Sequence, residues 1–281
     1  MTNSSQPVRD RFASPEYCNP NAKLPYIQSL RGENPVECGF FVSLDQMAKA
    51  SWLNVPETLD SYTFSSGAVE QGSILRQPRM LVVPKSGLMA ARSVKGENGS
   101  SELELLGKYR EFKGQAGVSN IQIFEVLLLD CDNNPLHEIP FQYIAKGATQ
   151  ATFSFHYQQF LLEITTCHAQ ANGIPARPKT LEFNALCVFE FEVTRELAGN
   201  NSNKAPACKV ATHSKPTIDN WESLFLGRHD ELANRVLQLL DIPVEPAVFA
   251  AAKPIAQIAP AIEPVVQTLT VDDSEDDNIP F

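Results

Sequence analysis

From Ile242 to Val271 the chain carries Pro243, Pro246, Pro254, Pro260 and Pro264 among seven alanines. Proline removes a backbone donor and clashes within a helix, and a central strand tolerates it no better. This stretch therefore belongs to no long helix and no sheet interior, and it reads as an extended, disordered linker. Whatever folds must be built from the residues before it. The sequence divides into a polar arm over 1–22, a folded body over 23–241, the linker over 242–271 and a short acidic end over 272–281.

The body alternates apolar runs with turn signals. Strands are expected at Tyr26–Leu30, Cys38–Val42, Ser61–Phe64, Ile74–Val83, Leu88–Val94, Leu103–Phe112, Ile121–Leu129 and Glu138–Ile144. Asp130–Pro135 has the composition of a hairpin turn. Ser43-x-x-Gln46 is a capping-box pattern that opens a short helix through Ala50. Phe153, Phe155 and Tyr157 alternate as in a strand, but Phe153, Tyr157, Phe160, Leu161, Ile164 and His168 hold helical spacing over a longer window, so a helix is expected over 149–169. Leu181–Arg195 and Ala207–Thr212 form a long hairpin. Asp219-x-x-Glu222 starts a last helical region with Leu232, Val236, Leu239 and Leu240 on one stripe. The expected fold is mainly β, with about ten strands: an elaborated OB-fold-like β-barrel with an inserted helix and a C-terminal helix, followed by a disordered acidic tail.

The six cysteines fall in no paired spacing and suit a reducing compartment. No apolar run approaches a membrane span, and the start of the chain lacks a signal-peptide core. A cytoplasmic, nucleoid-associated location is expected. The His and Cys residues show no zinc spacing. H-E-x-x-H, Gly-rich nucleotide loops and a G-x-S-x-G elbow are all absent from the sequence. Paired carboxylates such as Glu190/Glu192 and Glu102/Glu104 alternate on strand faces as solvated charges do. Neither an enzyme activity nor a cofactor is expected.

The last eleven residues read Val-Asp-Asp-Ser-Glu-Asp-Asp-Asn-Ile-Pro-Phe. In this the chain resembles bacterial single-stranded DNA-binding proteins, whose acidic tip has the form Asp-Asp-Asp-Ile-Pro-Phe after a flexible linker. Asn278 stands where the usual tip has an acid; Ile279-Pro280-Phe281 is intact. The likeness covers about ten residues and the linker before them, and residues 1–241 do not match that family's OB domain. It implies a divergent single-strand binder of the phage, plasmid or cyanobacterial kind. Such a protein would coat strands and use Asp272, Asp273, Glu275, Asp276, Asp277, Ile279, Pro280 and Phe281 to recruit enzymes of DNA replication, recombination or repair. Physically, a Phe fills an apolar pocket, Pro280 lowers the ordering cost and the acids steer the tip to a basic rim. The alternative is a protein-interaction adaptor that uses the same tip without touching DNA.

The net charge of −10 argues against nucleic acid until it is divided. Residues 242–281 hold seven acids and one base, which leaves 26 acids against 22 bases in the rest. Eight bases and four acids lie between Ser73 and Lys113. Strand binding needs cations for phosphates and aromatic faces for bases. The candidates are Tyr62, Phe64, Arg76, Arg79, Lys85, Lys108, Tyr109, Arg110 and Lys113, with Lys204, Lys209 and Lys215 from an acid-free stretch. Single-stranded DNA, or RNA, is the expected ligand, and a homo-oligomer is allowed.

Overall fold

The computed structural model describes residues 23–64, 66–95, 101–199, 204–227 and 231–241. The arm, the linker and the acidic end lie outside them. Eleven strands form one sheet: β1 Tyr26–Leu30, β2 Gly39–Ser43, β3 Asp60–Thr63, β4 Val69–Leu75, β5 Arg79–Pro84, β6 Met89–Lys95, β7 Ser101–Lys108, β8 Val118–Leu128, β9 Phe141–Lys146, β10 Val188–Ala198 and β11 Ala205–His213. The helices are α1 Leu44–Lys49, α2 Gly147–Ala171, α3 Leu181–Ala185 and α4 Glu231–Asp241.

The strand order is β11-β10-β5-β8-β9-β1-β2-β4-β3. Neighbours pair antiparallel except β1 and β9, which run parallel. β8 is eleven residues long and shares one edge between two partners: its C-terminal half pairs with β5, and its N-terminal end with β6. The β6–β7 hairpin therefore projects from the sheet as an arm of its own.

This is mainly β, as the sequence implies, but the sheet is open rather than a closed OB-like barrel. The reason is α2. Its 25 residues follow β9, and Phe153, Tyr157, Phe160 and Ile164 fill the space a barrel interior would occupy. The sheet bends round the helix instead of closing on itself. Phe40, Phe124, Tyr143, Phe189 and Phe191 surround Phe153 with ring centroids 4.7–6.4 Å apart. Aromatic edges and faces at such spacing add to the area they bury.

The other face is covered only in part. α4 lays Leu232, Ala233 and Val236 over Leu81, Val83, Leu127 and Leu129. Further along, Leu30, Phe41 and Ile74 form a satellite cluster under Tyr62 and Phe64. Gly72 is required there: a Cβ would sit 2.2 Å from the Val42 carbonyl oxygen and 2.7 Å from the Phe41 ring.

Four local expectations change. Ser43 occupies the N-cap of α1 without a side-chain cap bond, and the Gln46 side-chain oxygen instead accepts from the Tyr26 N–H at 2.9 Å. Ile74–Val83 is two strands, broken at Arg76–Pro78, where Pro78 cannot donate to a ladder. Leu181–Arg195 opens as a short helix before it extends. The Asp219-x-x-Glu222 segment forms a 3₁₀ turn, Trp221–Leu224, with Asn220 at its N-cap.

The Asp130–Pro135 turn forms as expected. The Asp130 carboxylate accepts from the Asp132 and Asn134 N–H groups at 2.9 and 2.8 Å, and Asn133 takes a positive φ of 66°. Cys38, Cys167, Cys187 and Cys208 are buried as small apolar side chains, while Cys131 is exposed.

Candidate nucleic-acid interface

Paired residues in neighbouring strands share a face, and the register carries this rule across the sheet. Lys108 pairs Met89, Met89 pairs Ile121 and Ile121 pairs Lys146. From the other side Tyr62 pairs Glu70, while Phe41 pairs both Gln28 and Ile74. All of these lie on the face that points away from α2. Tyr62, Phe64 and Lys108, far apart in sequence, are thereby brought to one side of the molecule. Tyr62 and Phe64 are half-buried, with ring centroids 4.9 Å apart at 78°. Phe41 supports both from below, at 6.0 and 6.2 Å.

Lys108, Arg110 and Lys113 are exposed at the root of the β6–β7 arm and on and just after the 3₁₀ turn Tyr109–Glu111. Tyr109 is half-buried between them. Lys204 and Lys215 are exposed at the two ends of the β11 segment.

Other candidates are engaged elsewhere. The Arg79 guanidinium donates to Glu190 at 2.7 Å, to the Asn133 side-chain oxygen at 2.7 Å and to the Ser223 carbonyl at 2.8 Å, with 14% of the side chain exposed. It is a clamp between β5, β10 and two turns. Lys85 lies beneath α4, 3% exposed, 3.5 Å from the Glu125 carboxylate and 2.6 Å from the Leu239 carbonyl. Its charge meets the C-terminal end of α4, where a cation complements the helix dipole. Burial raises the Glu125 pKa, and Lys85 opposes that rise. Lys209 pairs with Glu196 at 2.9 Å. Arg76 donates to the Val36 carbonyl. Folding engages each of these four cations with an acceptor from another segment, Arg79 and Lys85 below the surface and Arg76 and Lys209 at it.

The sequence reading missed Lys146 and Arg31. Lys146 donates to the Ser93 hydroxyl at 3.1 Å and lies close to Arg31. Burial lowers its pKa, and the Arg31 charge lowers it further. Two like charges close enough for one to lower the other's pKa suit an anionic ligand. The only hint in sequence is that each follows directly on an apolar strand, and reading the pair required the β1–β9 parallel register.

A family model described as "Domain of unknown function (DUF5895)" matches residues 21–248. The chain belongs to the DUF5895 family. A curated relative is uncharacterized protein 254L of Invertebrate iridescent virus 6, 29% identical over 167 residues, covering 57% of this chain. The match spans 49% of that viral protein, so the chain covers about half the length of this relative. No solved structure matches. Every candidate just placed falls within the DUF5895 match. The tip residues Asp272 to Phe281 fall outside both the match and the described residues.

Among the described residues of the DUF5895 domain, no group of three or more His, Cys, Asp or Glu side chains is set to hold a metal ion. No described helix is long and apolar enough to cross a membrane. One titratable chain lies on α2 and β11: His213 bridges Glu163 at 3.3 Å and His156 at 3.0 Å. Burial, and then Glu163, raise the pKa of the neighbouring Cys167 thiol, which disfavours the nucleophilic thiolate.

Proposed function

We propose that this chain binds single-stranded DNA through its DUF5895 domain and recruits DNA-processing enzymes through residues 272–281. The observation that carries the reading is the Asp276-Asp277-Asn278-Ile279-Pro280-Phe281 motif placed behind a Pro/Ala-rich stretch. The fold supports it with a sheet face that bears Tyr62, Lys146 and Lys108, with Phe64 packed against Tyr62. Aromatic rings of this kind stack bases at about 1–3 kcal/mol each, and neighbouring cations follow the phosphates. The division of labour is physical: the acids of the tip repel a strand and are drawn to a basic rim on a partner.

A gel shift with a labelled poly-dT oligonucleotide tests it. The full chain should shift the strand at low salt and release it as salt rises. Deleting residues 272–281 should leave the affinity equal or higher, since the acidic end competes for the same cations. Absence of any shift overturns strand binding and turns the reading to an adaptor that works through the tip alone. Mg²⁺-dependent loss of the labelled strand would instead reveal a nuclease.

A further inference from the structure

The C-terminal half of α2, the segment leading into α3 and the strand-like residues after the 3₁₀ turn enclose an open cavity of about 470 Å³. Its lining is His168, Pro178, Lys179, Thr180, Phe183 and Phe225. That is the size of a small-molecule site, and its composition, apolar walls with a few polar groups, is also typical of one.

Three details say what it suits. Phe183 and Phe225 stack at 4.7 Å and 28°, giving the cavity a flat aromatic wall. The Lys179 ammonium lies over the Phe183 ring, 5.2 Å from its centroid, and no carboxylate lines the cavity. The His168 ring is wedged edge-on against Phe183 and Trp221 at 5.1 and 5.4 Å, yet its buried Nδ1 has no hydrogen-bond partner. A buried polar atom left unpaired is costly and uncommon in native proteins. Burial, and then the Lys179 charge, lower the His168 pKa, which favours the neutral ring. A structural histidine would satisfy both nitrogens, as His137 does with the Leu128 N–H and the Ile139 carbonyl.

We propose that this cavity binds a single nucleotide. The base takes the face of Phe183, and Lys179 moves from that ring to the phosphate, while the wedged His168 ring backs the aromatic wall. An aromatic plane and one mobile cation match the base and the phosphate of such a ligand. A cationic ligand would find a like charge and no acid. The proposal does not depend on strand binding by the sheet face. The nucleotide is either free or the end of a strand, and the chemistry is shared.

The test is calorimetric titration of the full chain with dTMP, thymidine and inorganic phosphate, with Trp221 fluorescence as a second readout. dTMP should bind, thymidine about tenfold more weakly for want of the charged contact, and phosphate alone weakest of the three. Lys179→Gln should bring dTMP to the thymidine level and leave thymidine unchanged. Phe183→Leu should remove both. If that variant does not fold, Lys179→Gln, at a partly exposed position, decides alone. Competition by a 5′-phosphorylated but not a 5′-hydroxyl oligo-dT identifies a strand end; competition by mononucleotides alone identifies a free nucleotide. Absence of dTMP binding at millimolar concentration, or binding unchanged by Lys179→Gln, overturns the proposal.

Discussion

Acid should unfold this domain through His137 before most carboxylates titrate. His137 is fully buried. It accepts from the Leu128 N–H at Nε2, 2.9 Å, and pairs through Nδ1 with the Ile139 carbonyl, 2.7 Å, which fixes the neutral tautomer. Trp52 stacks on it at 5.7 Å and Phe141 meets it edge-on at 4.4 Å. Protonation would strand a charge in this setting and break the bond from Leu128. Burial accordingly lowers its pKa from 6.5 to about 4. The sign follows from proton counting. Below pH 6.5 the unfolded chain takes up a proton that the folded one refuses until about pH 4, so stability falls with pH across that window and levels off beneath it. At 1.36 kcal/mol per unit the loss at pH 4.5, relative to neutral pH, is about 2.5 kcal/mol. Urea unfolding of residues 23–241 within the full chain, followed by Trp52 fluorescence from pH 7.5 to 4.5, measures it. His137→Gln retains an acceptor for Leu128 and removes the titration. Its profile should be flatter than the parent's by that amount, although it starts from lower stability. Parallel profiles for the two proteins would refute the reasoning.

Lys85→Met should cost about 3–5 kcal/mol by leaving Glu125 charged and unpaired beneath α4, and Lys85→Met/Glu125→Leu should recover most of it; urea midpoints check both. Gly72→Ala drives a Cβ into the Val42 carbonyl and the Phe41 ring, and should cost about 2–3 kcal/mol by thermal melting. Tyr62→Ala/Lys146→Ala should weaken poly-dT binding, and the lost cation should flatten its salt dependence by about 0.7 in the log–log slope. Lys209→Ala, whose ammonium already pairs with Glu196, should leave that slope unchanged.

Much of the domain is readable in local pattern. The 3.6-residue spacing of Phe153, Tyr157, Phe160 and Ile164 gives α2, and the alternation from Cys187 to Val193 gives β10. Barrel closure is another matter. Strand count and one inserted helix suit a barrel and an open sheet alike; what separates them is that a helix this long takes the interior, a tertiary fact with no local mark. The candidate face divides similarly. Exposed Lys108, Arg110 and Lys113 follow from composition. Arg79 and Lys85 look the same in sequence, and only the arrival of Glu190, Asn133, Glu125 and the end of α4 shows that they are internal struts. Lys146 and Arg31 belong together because β1 and β9 run parallel, a pairing between segments more than a hundred residues apart.

An open sheet inherits a hazard that a barrel escapes. Free strand edges invite other chains to add on, and β3, β7 and β11 each have only one described partner. Each edge carries a deterrent. β3 is four residues long, and its Asp60 carboxylate turns inward to accept from the Ile74 N–H. β11 has Pro206 and the ion-paired Lys209. β7 is interrupted by Gly107 at a φ of 135°, opposite a shift in register. The geometry that leaves part of one sheet face uncovered thus also guards its rims against self-association.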